Sequence, residues 1–175
     1  LHRFADAIRY YGKADGLMEA DVSSAIMLAS SYKAQGDTAG MRRTAEVVSR
    51  RAEAVLERDP NNLEAMANSA FAFASLGEVD RAKARMNRTL MIDPNNFNMR
   101  YNFACSLCVY LKDKNAALEM LQPLFATIPA AFLPSAHAAP DLEMLHDDPR
   151  WQAMVAAAEV RLAAAKSTIP ETTVV

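Results

Sequence analysis

Arg58-Asp-Pro-Asn-Asn-Leu63 (RDPNNL) and Ile92-Asp-Pro-Asn-Asn-Phe97 (IDPNNF) are one turn written twice, 34 residues apart. Proline cannot continue a helix, so Pro60 and Pro94 end the helix that precedes each of them. An asparagine side chain accepts from the free N–H groups of a first helical turn, so Asn62 and Asn96 open the helix that follows. A fixed period in this range is the mark of stacked helical hairpins, none of which can bury its apolar face alone.

Sliding Asp59–Ile92 onto Asp93–Ala126 gives nine identities in 34 positions, among them Asn68/Asn102, Ala70/Ala104, Ala82/Ala116, Met86/Met120 and Leu90/Leu124. The spacing predicts a first helix over about 63–76, a turn freed by Gly77, and a second helix to about 92. Ala82, Met86 and Leu90 share one stripe of that second helix, and small Ala70 and Ala82 let the pair approach closely. Upstream, Leu28-Ala29-x-x-Tyr32 and Gly36 repeat the theme, but Gly36 to Pro60 spans 24 residues where Gly77 to Pro94 spans 17. The seven extra residues are close to two helical turns, which keeps the apolar face in phase and predicts one long helix over about 38–58. Ala7-x-x-x-Tyr11-x-x-Ala14 reads as the second helix of a truncated repeat.

Pro129 stands one place later than the period requires. It, Pro134, Pro140 and Pro149 break the next stretch into short pieces. Pro149 suits the first turn of a last helix, about 150–166, whose Trp151, Met154, Val155 and Leu162 can cover the open end of the stack. The expected fold is all-α: a right-handed solenoid of stacked antiparallel helix pairs with a C-terminal capping helix. A single domain is expected over 1–165. It comprises a partial repeat (1–20), a repeat with an extended second helix (21–60), two further repeats (61–94 and 95–129), and an irregular segment with the cap (130–165). A flexible tail follows at 166–175.

The period and the small–large–small pattern resemble the tetratricopeptide repeat. Ser69-Ala70-x-x-Phe73, Ala82, Met86, Thr89 and Pro94 match that family's motif, as do Phe103-Ala104-x-x-Leu107, Ala116 and Met120 in the next copy. A narrower resemblance adds the overlong helix and the closing Pro140-Asp141-Leu142-x-x-Leu145-x-x-Asp148-Pro149-Arg150-Trp151. That order resembles the C-terminal repeat region of bacterial multidomain class III adenylate cyclases and TolB-like regulators, although Ala139 stands where an aspartate is usual. It implies a scaffolding or regulatory region of a larger signalling protein, with no catalytic residue carried over.

Composition narrows the classes of function. Hydrophobic residues make 51% of the 175, charged residues 23%, and the net charge is −2, which supports neither a nucleic-acid surface nor a polybasic membrane anchor. Two cysteines form no disulfide framework and fit a reducing, cytoplasmic setting. The apolar runs are too short to span a bilayer.

Candidate chemistry is sparse. Cys105-Ser-Leu-Cys108 falls mid-helix, where nothing lowers a thiol pKa, and zinc would need two more ligands. His2, His137 and His146 show no partner spacing. Asp147-Asp148 beside His146 reads as an acidic cap before Pro149. Arg42, Arg43, Arg50, Arg51 and Arg58 interleave with Glu46, Glu53 and Glu57 as a mixed solvated face, with a dimer contact open to the extra turns. Thr173-Val174-Val175 carries too little information to use. No catalytic residue, cofactor or metal is expected.

The resemblance implies that the first helices of the pairs line a groove for a protein or peptide segment, from this chain or another. Its residues would be Ile26, Ser30, Lys33, Glu64, Asn68, Phe71, Asn98, Tyr101, Asn102, Cys105 and Cys108. An acidic-tail clamp of the kind some family members use would need cations at the places held by Ile26, Asn98 and Asn102, and asparagines at those of Ser30 and Asn68. Only Asn68 fits. The competing reading is a structural or dimerising spacer with no peptide ligand.

Overall fold

A computed structural model describes residues 3–18 and 21–167. Among them it is all-α, and the chain divides into two compact units at Met99/Arg100. In the first, α1 (Phe4–Leu17), α2 (Ser23–Gln35), α3 (Thr38–Leu56), α4 (Leu63–Leu76) and α5 (Val79–Ile92) each pack on the next in chain order. The α2, α3 and α4 faces meet at fully buried Ala25, Val48 and Ala72. The repeated turn works as its chemistry requires. Asn62 Oδ1 accepts from Ala65 N–H, and Asn96 Oδ1 from Met99 N–H, both at 3.0 Å.

The overlong α3 has 19 residues against 14 in α5. Its added length is spent inside the unit. Ala52 is fully buried, Leu56 packs with Ala65 and Met66, and half-buried Glu53 reaches Ser69 on α4. Arg51 pairs with Asp15 of α1 and donates to the Asp21 carbonyl at 2.7 Å. Of the arginine row, Arg42 also has a structural task, donating to the C-terminal carbonyl of Leu76 at 3.1 Å. The solvated face is therefore shorter than the charge pattern suggested.

Three hairpins, α2/α3, α4/α5 and the third repeat's pair, are each closed by a left-handed residue: Gly36 at φ 83°, Gly77 at φ 78°, and Lys112 at φ 55°. The next backbone N–H then reaches back to a carbonyl one turn up. Asp37 donates to Tyr32 and Glu78 to Phe73, both at 2.9 Å, and Asp113 donates to Leu107 at 3.0 Å. Tyr32, Phe73 and Leu107 are the same position of three repeats. The first two closures enclose four residues (33–36 and 74–77), the third five (108–112). That single extra residue is absorbed by a π turn over Leu107–Leu111, which continues α6 (Phe97–Ser106).

The π turn corrects the sequence register. α7 (Lys114–Thr127) starts 35 residues after α5, not 34. Ala117, Leu121 and Leu124 take the places of Ala82, Met86 and Thr89, and all six are buried. The expected Ala116 and Met120 sit half-buried one position off the seam. The same residue puts Pro129 one place late.

The second unit continues through α8 (Leu133–His137), a 3-10 turn (Pro140–Leu145) and α9 (Pro149–Ser167). α9 packs on α7, with Trp151 only 1% exposed and edge-on to Phe125 at 5.1 Å. Val155 is buried, while Met154 and Leu162 are half-buried. The expected tail lies, beyond residue 167, outside the described residues, as does the 173–175 motif.

A non-glycine residue in the left-handed region carries strain that glycine avoids. Lys112→Gly is expected to raise stability to urea by about 1 kcal/mol and Gly77→Ala to lower it by about 1 kcal/mol. Two shifts of the same sign in the urea midpoints would show that the caps do not bear the backbone strain assigned to them.

Candidate partner-binding face

The eleven groove residues fall in different surroundings. On α2, Ile26 and Ser30 are half-buried and Lys33 is exposed; on α4, Glu64 is exposed while Asn68 and Phe71 are half-buried. Ile26, Phe71 and Val22 pack against the Ala25–Val48–Ala72 cluster, so the two apolar members belong partly to the core. Asn98 and Asn102 on α6 are exposed, and Tyr101 and Cys105 are half-buried. Cys108, expected in the groove, lies in the π turn at 1% exposure and presents no surface to a ligand.

Tyr101 and Cys105, one helical turn apart, hydrogen-bond through their side chains. The Phe132 ring stands edge-on to Tyr101 at 5.3 Å, with an interplanar angle of 82°. Burial pushes the Tyr101 hydroxyl and the Cys105 thiol up to about 12 each, with the Asp141 carboxylate adding a smaller push to both. Burial likewise raises Cys108 to about 11. Thiols held that high stay protonated and are poor nucleophiles at neutral pH.

Sequence spacing missed three constellations. Glu53 of α3 accepts from Ser69 Oγ of α4 at 2.6 Å and pairs with Arg85 of α5 at 3.0 Å, linking three helices through one carboxylate. The Arg81 guanidinium lies 3.9 Å over the Phe73 ring, where the first repeat has Gly40 tight against Tyr32. Finally, the His137 and His146 rings come within 5.8 Å, and His146 stacks on Trp151 at 5.7 Å. The partners in these sets come from separate elements, so no short-range motif signals them. Among the described residues no group of three or more His, Cys, Asp or Glu is placed to hold a metal, and His2 is outside them.

Asp148 performs the capping role read from its place before Pro149. Its Oδ1 accepts from Arg150 N–H at 2.9 Å and Nε at 3.0 Å, and its Oδ2 from Nη2 at 2.8 Å. Arg150 also donates to Asn115 Oδ1 at 2.9 Å, joining the starts of α9 and α7. Hydrogen bonds from Arg150 hold the Asp148 carboxyl down at about 2.

A tetratricopeptide repeat family model matches residues 49–101, which run from the second half of α3 through α4 and α5 into α6. No curated protein matches the chain. The solved structure titled "MamA MSR-1 C2" is similar over 91% of this chain and 88% of that one, with 18% identity and a TM-score of 0.43. Among the described residues no helix is long and apolar enough to cross a membrane.

The depressed Asp148 carboxyl makes a prediction with a definite sign. A folded pKa near 2, below the ordinary 3.8, adds stability that is present above about pH 4 and is lost as pH falls toward 2. Asp148→Asn is therefore expected to lower the melting temperature at pH 7. The gap from wild type should close as the pH is taken from 4 to 2. A gap independent of pH would show that the cap acts without its charge.

Proposed function

We propose that the chain is a non-catalytic protein-interaction module that takes a peptide segment along the α2–α4 face. The observation that carries this is the tetratricopeptide repeat at 49–101, because such repeats generally serve protein–protein interaction. Half-buried Ile26 and Phe71 would supply an apolar floor, and Ser30, Lys33, Glu64 and Asn68 a polar border. An apolar centre with a polar rim suits recognition by shape and a few anchors. The reading treats residues 1–165 as one domain acting in the cytoplasm, and keeps Asn98, Tyr101, Asn102 and Cys105 as a separate candidate face on α6.

Calorimetric titration of a peptide library is the test. Asn68→Ala, which leaves the apolar floor in place, should weaken a bound peptide by about 1 kcal/mol. Peptides ending in an acidic C-terminal tail should show no micromolar binding, since the clamp positions lack cations. Binding that ignores substitutions at Ser30, Lys33 and Asn68 alike would place the partner elsewhere.

A finer reading rests on the order of long α3, regular repeats and the closing Pro140–Trp151 segment. It makes the chain a C-terminal scaffolding region of a larger bacterial protein such as an adenylate cyclase. Sequencing the coding region upstream decides it: a cyclase domain in frame supports this reading, and any unrelated domain removes it.

A further inference from the structure

Between α7 and α9, wholly within the second unit, lies an open cleft of about 260 Å³. Gln122, Phe125 and Ala126 line it from α7, and Met154, Ala157, Ala158 and Arg161 from α9. Phe125 and Ala158 are buried while Ala126 and Ala157 are exposed, so the cleft opens to solvent between small side chains. The lining residues fall at i, i+3 and i+4 on α7, and at i, i+3, i+4 and i+7 on α9. Those are the positions that surround an inserted side chain when one helix packs on another. A helix face turned to water ordinarily carries charge, yet no charged residue occurs from Met120 to Thr127 or from Trp151 to Ala158. Val160, 71% exposed, extends the apolar strip of α9 by one more turn. Arg161 is the one charged residue of the lining. Its Nη2 donates to the Ile128 carbonyl at 2.6 Å, and no carboxylate pairs with it among the described residues.

We propose that the α7–α9 cleft is a docking site for one amphipathic helix of another protein, apolar at successive turns and carrying a carboxylate that meets Arg161. The spacing of the lining on both walls gives the helical shape of the occupant, whose side chains enter as i, i+3, i+4 and i+7 anchors. Charge gives its sign. A guanidinium has five N–H donors, and the Ile128 carbonyl engages Nη2 alone, which leaves the other nitrogens free to fork onto a carboxylate. Two copies meeting through α9 would instead bring Arg161 toward its own counterpart, so the charge selects an acidic helix of a different chain over self-association. The cleft shares no residue with the α2–α4 face, and the two readings stand or fall separately.

The experiment selects, on the full chain, a phage-displayed library of short helix-forming peptides randomised at i, i+3, i+4, i+7 and the turn beyond. Large apolar residues should be enriched at the four spaced positions and Asp or Glu at the turn beyond. The best peptide is then synthesised and titrated by fluorescence anisotropy. Ala126→Glu and Ala157→Glu place a charge at exposed positions, where it stays solvated in the free chain, so the melting curve should hold while peptide affinity falls about tenfold. Arg161→Gln should erase the preference for Glu over Gln in the peptide, and Arg161→Lys should restore part of it. Asn68→Ala, on the α2–α4 face, should change nothing. No enrichment, enrichment of Lys or Arg at the acidic place, or affinity indifferent to both alanine substitutions overturns the proposal. So does sedimentation of the wild type as a dimer that Ala157→Glu dissociates, which would make a second copy the occupant. A tenfold gain in peptide affinity on deleting residues 168–175 would give the cleft to that segment and overturns it equally.

Discussion

One backbone hydrogen bond sets the geometry of the three repeat hairpins, α2/α3, α4/α5 and α6/α7. After the left-handed residue, the next N–H must find the carbonyl of Tyr32, Phe73 or Leu107, because a helix end that leaves these groups unpaired in a packed turn is costly. The bond fixes where the second helix starts and hence which of its residues face inward. With four residues enclosed, the chain runs as a plain α-helix into a glycine. With five, it can keep the bond only by widening the last turn, and the left-handed place falls on a lysine. The third pair keeps its closure and gives up the 34-residue period.

This accounts for what the sequence could and could not disclose. Helix ends at Pro60, Asn62, Gly77 and Asn96 were legible because each is decided by the residue's own backbone chemistry. The register of α7 was not. Ala116, Met120 and Leu124 repeat Ala82, Met86 and Leu90 by identity, but the π turn moves the seam onto Ala117, Leu121 and Leu124. Pro129, one place late, was the local sign of that shift. Groove positions were legible as a list on helix faces. Burial then separated them, since Cys108 lies in the π turn, which packs against the 3-10 turn, and is out of reach of solvent.

The charged residues show how little a linear pattern says about pairing. Glu53 looked like one carboxylate in a solvated row, yet it joins Ser69 and Arg85 from two later helices. Arg51 from the same row secures α1 and the Asp21 backbone. A half-buried ion pair with additional hydrogen bonds resists loss of one partner more than it adds to net stability. Such pairs fix which helix meets which, a task that a stack of Ala-rich faces performs poorly on its own.

The placement of the chain's one tryptophan has a practical consequence. Trp151 lies in the second unit, enclosed by Phe125 and stacked on His146, with 1% of its surface exposed. Its emission therefore reports events around it in the second unit, whereas far-ultraviolet circular dichroism weighs the helices of both units. Recorded side by side on one sample, the two signals form a built-in pair of spectroscopic channels. Their overlap or separation along a melting curve reads the energetic coupling between the halves directly, with no label added to either.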